Sequence, residues 1–215
     1  YAAHLLARTG DLRLVQAAHG NFLRVWGGGL IQTEAFYDLC DRLGILVWQE
    51  FTQSSSGVDN VPSDDPAFLR LIVAEAEQVI PRRRNHASLA VWCGGNELHF
   101  WPANIPLNES DSPVLAALHE TVQRLDPGRY WVPSSPSGPT MGNSLEIIER
   151  APDALHDVHG PWDYQGLTEQ YTLYNRTTSL LHSEFGSEGM ANRRTLDDLA
   201  PREAQTPVSL DNPLY

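Results

Sequence analysis

The chain has 215 residues, enough for one large domain, and its 41% apolar content supplies a substantial core. Fifteen basic against 27 acidic side chains leave a net charge of −12, which argues against a nucleic-acid backbone or an anionic membrane surface as partner. No apolar run approaches the roughly 18–20 residues of a membrane span and no signal peptide opens the sequence, so a soluble protein is expected, its compartment left open. The sequence does not start with Met, and it is expected to begin inside a longer protein.

In chain order, Leu12 to Ala18 reads as helical, and Asn21 to Trp26 as a strand that breaks at Gly27-Gly28-Gly29. Thr33 is placed to cap a helix with Phe36, Leu39, Cys40 and Leu43 as its apolar stripe and Gly44 as its stop. Ile45 to Trp48 is the next strand; Ser63 to Pro66 starts a helix with Leu69, Ile72, Val73, Ala76 and Ile80 at helical spacing; Leu89 to Trp92 is the third strand. A helix marked by Leu115, Leu118, Val122 and Leu125 ends at Asp126-Pro127-Gly128. Tyr130 to Val132 is then a strand, Leu145 to Glu149 a short helix, and Leu155 to His159 a weaker strand. Thr168 to Arg176 is helical, Leu180 to Ser183 is the sixth strand, and the tail from Met190 reads as a long loop and a partial helix. No repeat, low-complexity run or linker divides residues 1–215, which are read as one domain.

Strict strand–helix alternation predicts an α/β fold with a parallel sheet. The Gly-x-Gly-x-x-Gly turn of a dinucleotide-binding open sheet is absent, and the triple glycine is instead read as a sharp turn that lets a ligand approach the backbone. Two glutamates end apolar strands: Glu97 closes Ser-Leu-Ala-Val-Trp-Cys-Gly-Gly-Asn-Glu (88–97), and Glu184 closes Ser-Leu-Leu-His-Ser-Glu (179–184). Carboxylates at the C-terminal tips of barrel strands face the mouth where active sites are built, and a facing pair is what glycoside hydrolysis requires.

Leu23-Arg-Val-Trp-Gly-Gly-Gly29, followed by Glu34-x-Phe-Tyr-Asp-Leu-Cys-Asp-x-Leu-Gly-Ile-Leu-Val-Trp-Gln-Glu50, resembles the catalytic barrel of family 2 glycoside hydrolases. Within that family the chain is most similar to the branch of β-mannosidases and exo-β-glucosaminidases. Residues 85–97 resemble the family's acid/base strand, and Ser183-Glu-Phe-Gly186 its nucleophile strand. The resemblance implies a (β/α)8 TIM barrel that is incomplete here, with barrel strands two to seven present and one and eight missing. It also implies β-sandwich domains elsewhere in the parent enzyme. It further implies retaining, exo-acting hydrolysis of terminal β-D-mannosides, with an exo-β-glucosaminidase, another family 2 β-glycosidase or a non-catalytic carbohydrate-binding barrel as alternatives. The partner is a carbohydrate, and no cofactor is implied. An open six-stranded arc is expected to be inactive or nearly so without its missing strands.

By the same resemblance Glu97 is the acid/base and Glu184 the nucleophile. Asn96 would meet the sugar 2-hydroxyl, and Arg24 would hold the nucleophile ionised, although a structural ion pair predicts nearly the same geometry. Trp26 and Trp162 are candidates for the apolar walls of a sugar pocket. His159 would contact the sugar or the nucleophile. Glu50 stands where the mannosidase pattern usually has aspartate, which leaves substrate choice open. Glu188 is the rival nucleophile, disfavoured by the Ser-Glu-Phe-Gly frame. No metal site is expected, because His156 and His159 lack partners at ligand spacing and read as two exposed histidines. Cys40 and Cys93 read as buried free thiols.

Overall fold

The computed structural model describes residues 2–54, 60–100, 103–153, 155–186, 191–209 and 211–214, with side chains from residue 10 onward in the first helix. Its elements run α1 (Ala2–Ala17), β1 (Phe22–Val25), α2 (Glu34–Leu43), β2 (Leu46–Glu50), α3 (Pro66–Arg83) and β3 (Leu89–Cys93). They continue with β4 (His99–Phe100), β5 (Ile105–Pro106), α4 (Pro113–Leu125), β6 (Tyr130–Val132), α5 (Leu145–Arg150) and β7 (Asp157–His159). The last are α6 (Leu167–Arg176), β8 (Leu181–Glu184) and α7 (Arg193–Leu199). The alternation expected from the sequence is present. The antiparallel pair β4–β5, inserted after Glu97, has no sequence signal of its own.

Local chemistry sets the helix ends. Asp65 caps α3 by accepting the Ala67 N–H at 2.7 Å, and Pro66 follows at the first helical position, where a missing N–H costs nothing. Ser112 and Ser144 cap α4 and α5 in the same way. Gly44 ends α2 in the left-handed region at φ 69°. Thr33 occupies the cap position of α2 but makes no side-chain bond there. Glu34 in the first turn of α2 instead reaches Arg83 and His86, tying α2 to the end of α3.

The sheet is parallel in the order β1-β2-β3-β6. Trp92 faces the helix side, and a register shift at Ala90, where Val47 pairs with Leu89 but Trp48 with Val91, lets Leu89 join it there with Phe51, Ile72, Ile80, Val114, Leu118 and Val122. Trp48, Val91, Cys93 and Val132 cluster on the opposite face, with Leu181 of β8 against them. Both faces are apolar, as expected of a parallel sheet covered by helices.

The continuous six-stranded arc expected from the sequence is not formed. β7 and β8 make a separate parallel pair, and β6 does not pair with β7. Between them runs a segment with Pro133, Pro136 and Pro139, which lack the N–H needed to extend a ladder. β7 pairs instead with that segment: His159 donates its N–H to Met141 O at 2.9 Å and accepts from Asn143 N at 2.9 Å. This detour carries Ser135 beneath His159.

Candidate active site

The C-terminal ends of β1, β2, β3, β7 and β8 converge on one cluster. Arg24 of β1 is its hub. Arg24 Nε donates to Glu50 Oε1 at 2.6 Å, Nη1 to Glu184 Oε1 at 2.8 Å and Nη2 to Asn96 Oδ1 at 2.5 Å. One guanidinium thus links β2, the turn after β3 and β8, the last of these 160 residues away in sequence. Burial works against the charge on Arg24, but Glu50 and Glu184 outweigh it and hold the guanidinium above its ordinary pKa.

Glu50 is buried, and Gly27 N donates to its second oxygen at 2.7 Å. Burial pushes the Glu50 carboxyl up, against the pull of Arg24 and the Gly27 N–H. Donors on both oxygens fit its ionised form. Glu50, expected among the substrate-binding residues, thus has both carboxylate oxygens engaged within the protein, by Arg24 and by the Gly27 N–H. Within the triple glycine, Gly27 has a packing role. A Cβ on Gly27 would lie 2.4 Å from Gln53 O and 2.7 Å from Phe51 O, so this glycine admits neighbouring backbone rather than a ligand.

Glu97 follows β3 in the left-handed region at φ 50°, a conformation that costs a non-glycine residue about 1–2 kcal/mol. Its N–H donates to Ser135 O at 2.6 Å, and its carbonyl oxygen lies 2.8 Å from His99 Nδ1. These contacts hold the turn that aims the side chain. Asn96, just before it, is buried and donates to Ser54 Oγ at 3.0 Å while accepting from Arg24.

Glu97, His159 and Glu184 each present a ligand-capable atom within 4.8 Å of the others. His159 Nδ1 lies 3.2 Å from Glu97 Oε1 and 3.6 Å from Glu184 Oε2. His159 is fully buried, which overturns its reading as one of two exposed histidines; His156 is exposed. The fold supplies the partners that sequence spacing withheld. With the Arg24 cation already on Glu184, we read the cluster as a hydrogen-bonded set rather than a metal centre.

Trp162 donates Nε1–H to Glu184 Oε2 at 3.2 Å and is 46% exposed. Its ring lies over Gly160, as Trp26, 49% exposed, lies over Gly28. Each tryptophan thus uses a glycine as its seat and leaves a half-open apolar face, that of Trp162 beside Glu184. Trp26 also lines a cavity of about 380 Å³ with Arg24, Leu23, Leu30 and Phe36. Glu188 lies outside the described residues.

Sequence reasoning missed Ser135, Asp157 and Ser183. Ser135 Oγ lies 3.1 Å from His159 Nε2, 2.9 Å from Ser183 Oγ and 3.2 Å from Asp157 Oδ2. Asp157 Oδ1 accepts the Ser183 N–H at 3.1 Å, and burial raises the Asp157 carboxyl above its ordinary pKa. The available signal was Asp157-Val158-His159: on a strand, the carboxylate and the imidazole share one face.

Parallel strands alternating with helices, with polar and charged side chains gathered at the strands' C-terminal ends, are the arrangement of a (β/α) barrel. Residues 27–159 match the family model "Glycosyl hydrolases family 2, TIM barrel domain", and the chain belongs to that family. Two of its curated relatives are both named "Beta-mannosidase B". The Emericella nidulans protein is 30% identical over 210 residues, covering 90% of this chain and 24% of the relative. The Thermothelomyces thermophilus protein is 32% identical over 218 residues, covering 94% and 24%. The crystal structure of a β-D-mannosidase from Dictyoglomus thermophilum superposes with a TM-score of 0.64 at 30% identity, covering 93% of this chain and 23% of that one. The chain thus spans about a quarter of the length of these relatives. Among the described residues no helix is long and apolar enough to cross a membrane.

Proposed function

We propose that the chain supplies the catalytic barrel of a retaining, exo-acting β-glycosidase that hydrolyses terminal β-D-mannosides through a covalent glycosyl-enzyme. The observation that carries this reading is the approach of Glu97 and Glu184, with carboxylate oxygens within 4.8 Å of one another. Retaining enzymes need carboxyl groups about 5–5.5 Å apart, whereas inverting ones leave about 6.5–9.5 Å for a water. Both carboxylates are partly open to solvent, as groups that meet a substrate must be.

Arg24 and Trp162 donate to different oxygens of Glu184, orienting the carboxylate for attack on the anomeric carbon. The attack forms a glycosyl–oxygen bond as the bond to the leaving oxygen breaks, and Glu97 gives that oxygen its proton. Water then enters, loses a proton to Glu97 and releases the sugar from Glu184. Asn96, aligned by Arg24 and Ser54, is the candidate donor to the sugar 2-hydroxyl. Trp26 and Trp162 offer apolar faces to the sugar ring. Assignment to mannosides follows the names of the relatives.

The test is hydrolysis of aryl β-mannoside, β-glucosaminide and β-glucuronide by the protein in its natural length, with the first-formed anomer read by NMR. Preferential release of β-mannose supports the proposal. Release of the α-anomer would overturn retention, and a faster glucosaminide or glucuronide would overturn the assigned sugar.

A further inference from the structure

The hydroxyl of Ser135 has one proton and three acceptors within reach: Asp157 Oδ2, His159 Nε2 and Ser183 Oγ. If that proton went to His159, two bare oxygens would face each other at 3.2 Å across the Ser135–Asp157 contact. The carboxylate prevents this by taking the proton itself. Ser135 Oγ is then left with two lone pairs, which the Ser183 hydroxyl and an Nε2–H of His159 can fill. Every polar atom of the buried set is satisfied in this arrangement.

We propose that Asp157 and Ser135 are positioning residues which oblige His159 to carry its proton on Nε2, so that Nδ1 and Glu97 Oε1 hold one further proton between them. The other charged or titratable groups around His159 are Glu184 at 3.6 Å, its partner Arg24, Glu50 and His182. Removing the shared proton leaves a nitrogen lone pair facing a carboxylate at 3.2 Å, which is unfavourable. The site therefore keeps that proton to higher pH than a glutamate whose histidine donates from Nδ1. The catalytic consequence rests on the glycosidase reading: the proton Glu97 delivers is drawn from a Glu97–His159 pair, and the alkaline limb of the rate profile belongs to the pair.

The placement is tested without catalysis, by 15N–1H correlation spectra of the chain labelled with 15N-histidine, His159 being assigned through His159→Gln. Nε2 of His159 is expected to carry a proton wherever Asp157 is ionised. In Asp157→Asn the side-chain amide donates to Ser135, Ser135 donates to Nε2, and the histidine proton moves to Nδ1. In Ser135→Ala, a milder change, the proton likewise moves to Nδ1, towards the carboxylates. An unprotonated Nε2 in the unsubstituted chain, or an Nε2 proton retained in both variants, overturns the proposal. On the protein in its natural length, either variant is expected to move the alkaline limb of kcat/KM down by about one pH unit. An unmoved limb overturns the catalytic consequence. Loss of the glycosidase reading with Nε2 still protonated leaves the proton placement standing, so the two failures are separable.

Discussion

Arg24→Met removes the cation that joins Glu50, Glu184 and Asn96 while keeping much of the side chain's volume. Glu50 is the group it strands: its side chain is fully buried, and among the described residues only the Gly27 N–H remains bonded to it. Breaking one partner of such a buried pair costs about 3–5 kcal/mol, because the other charge stays desolvated. Glu184 adds little, since a third of its side chain is exposed and water replaces the lost donor. Asn96 Oδ1 loses its partner, at about 1 kcal/mol. The expected loss is therefore ~4–6 kcal/mol in urea unfolding at neutral pH. Arg24→Met combined with Glu50→Gln keeps the Gly27 bond and removes the charge, and its deficit should shrink to about 1–2 kcal/mol. The deficit of the single variant should also fall on acidification. The stranded Glu50 then binds a proton more tightly folded than unfolded, so its contribution to stability falls as pH rises. A loss below about 1 kcal/mol, or no recovery in the double variant, would refute the reasoning.

Three further outcomes are expected. Gly27→Ala should cost about 2–3 kcal/mol, since its Cβ meets backbone oxygens at 2.4 and 2.7 Å, whereas Gly44→Ala, strained only by its positive φ, should cost about 1–2 kcal/mol in the same urea experiment. His86 loses to burial, but Glu34 and Asp41 outweigh this and raise its pKa, while His86 with Arg83 lowers Glu34, and Ser88 with His86 lowers Asp41, despite desolvation. The clamp's stability is thus fully present between roughly pH 4.5 and 6.5 and fades above the raised imidazole pKa, so His86→Asn should lower the melting temperature more at pH 6 than at pH 9. Trp162→Phe keeps an apolar ring but removes the donor to Glu184, and kcat should fall about tenfold.

Most of the fold was legible because its signals are local. The αL glycine at 44, the Asp-Pro start of α3 and the apolar strands ending in Glu97 and Glu184 are written in adjacent residues. The break between β6 and β7 was not legible, since three prolines in a loop do not reveal which strand loses its neighbour. The positions of Arg24, Glu97, His159 and Glu184 at one centre follow from strand direction. The burial of His159 and its link to Ser135 and Asp157 do not. Those contacts depend on the path of residues 133–144, which carry no periodicity. The burial of Glu50 against Arg24 and Gly27 was not legible for a related reason: a carboxylate at a strand tip points to the mouth or into its neighbours, and only packing decides which.

The central claim is a covalent sugar on Glu184 formed opposite Glu97. Its most direct test is mass spectrometry of the natural-length protein after inactivation by 2-deoxy-2-fluoro-β-D-mannosyl fluoride. The expected result is one fluoromannosyl adduct on the peptide containing Glu184, absent in Glu184→Gln. An adduct on another carboxylate, or hydrolysis that continues without any adduct, would contradict the account.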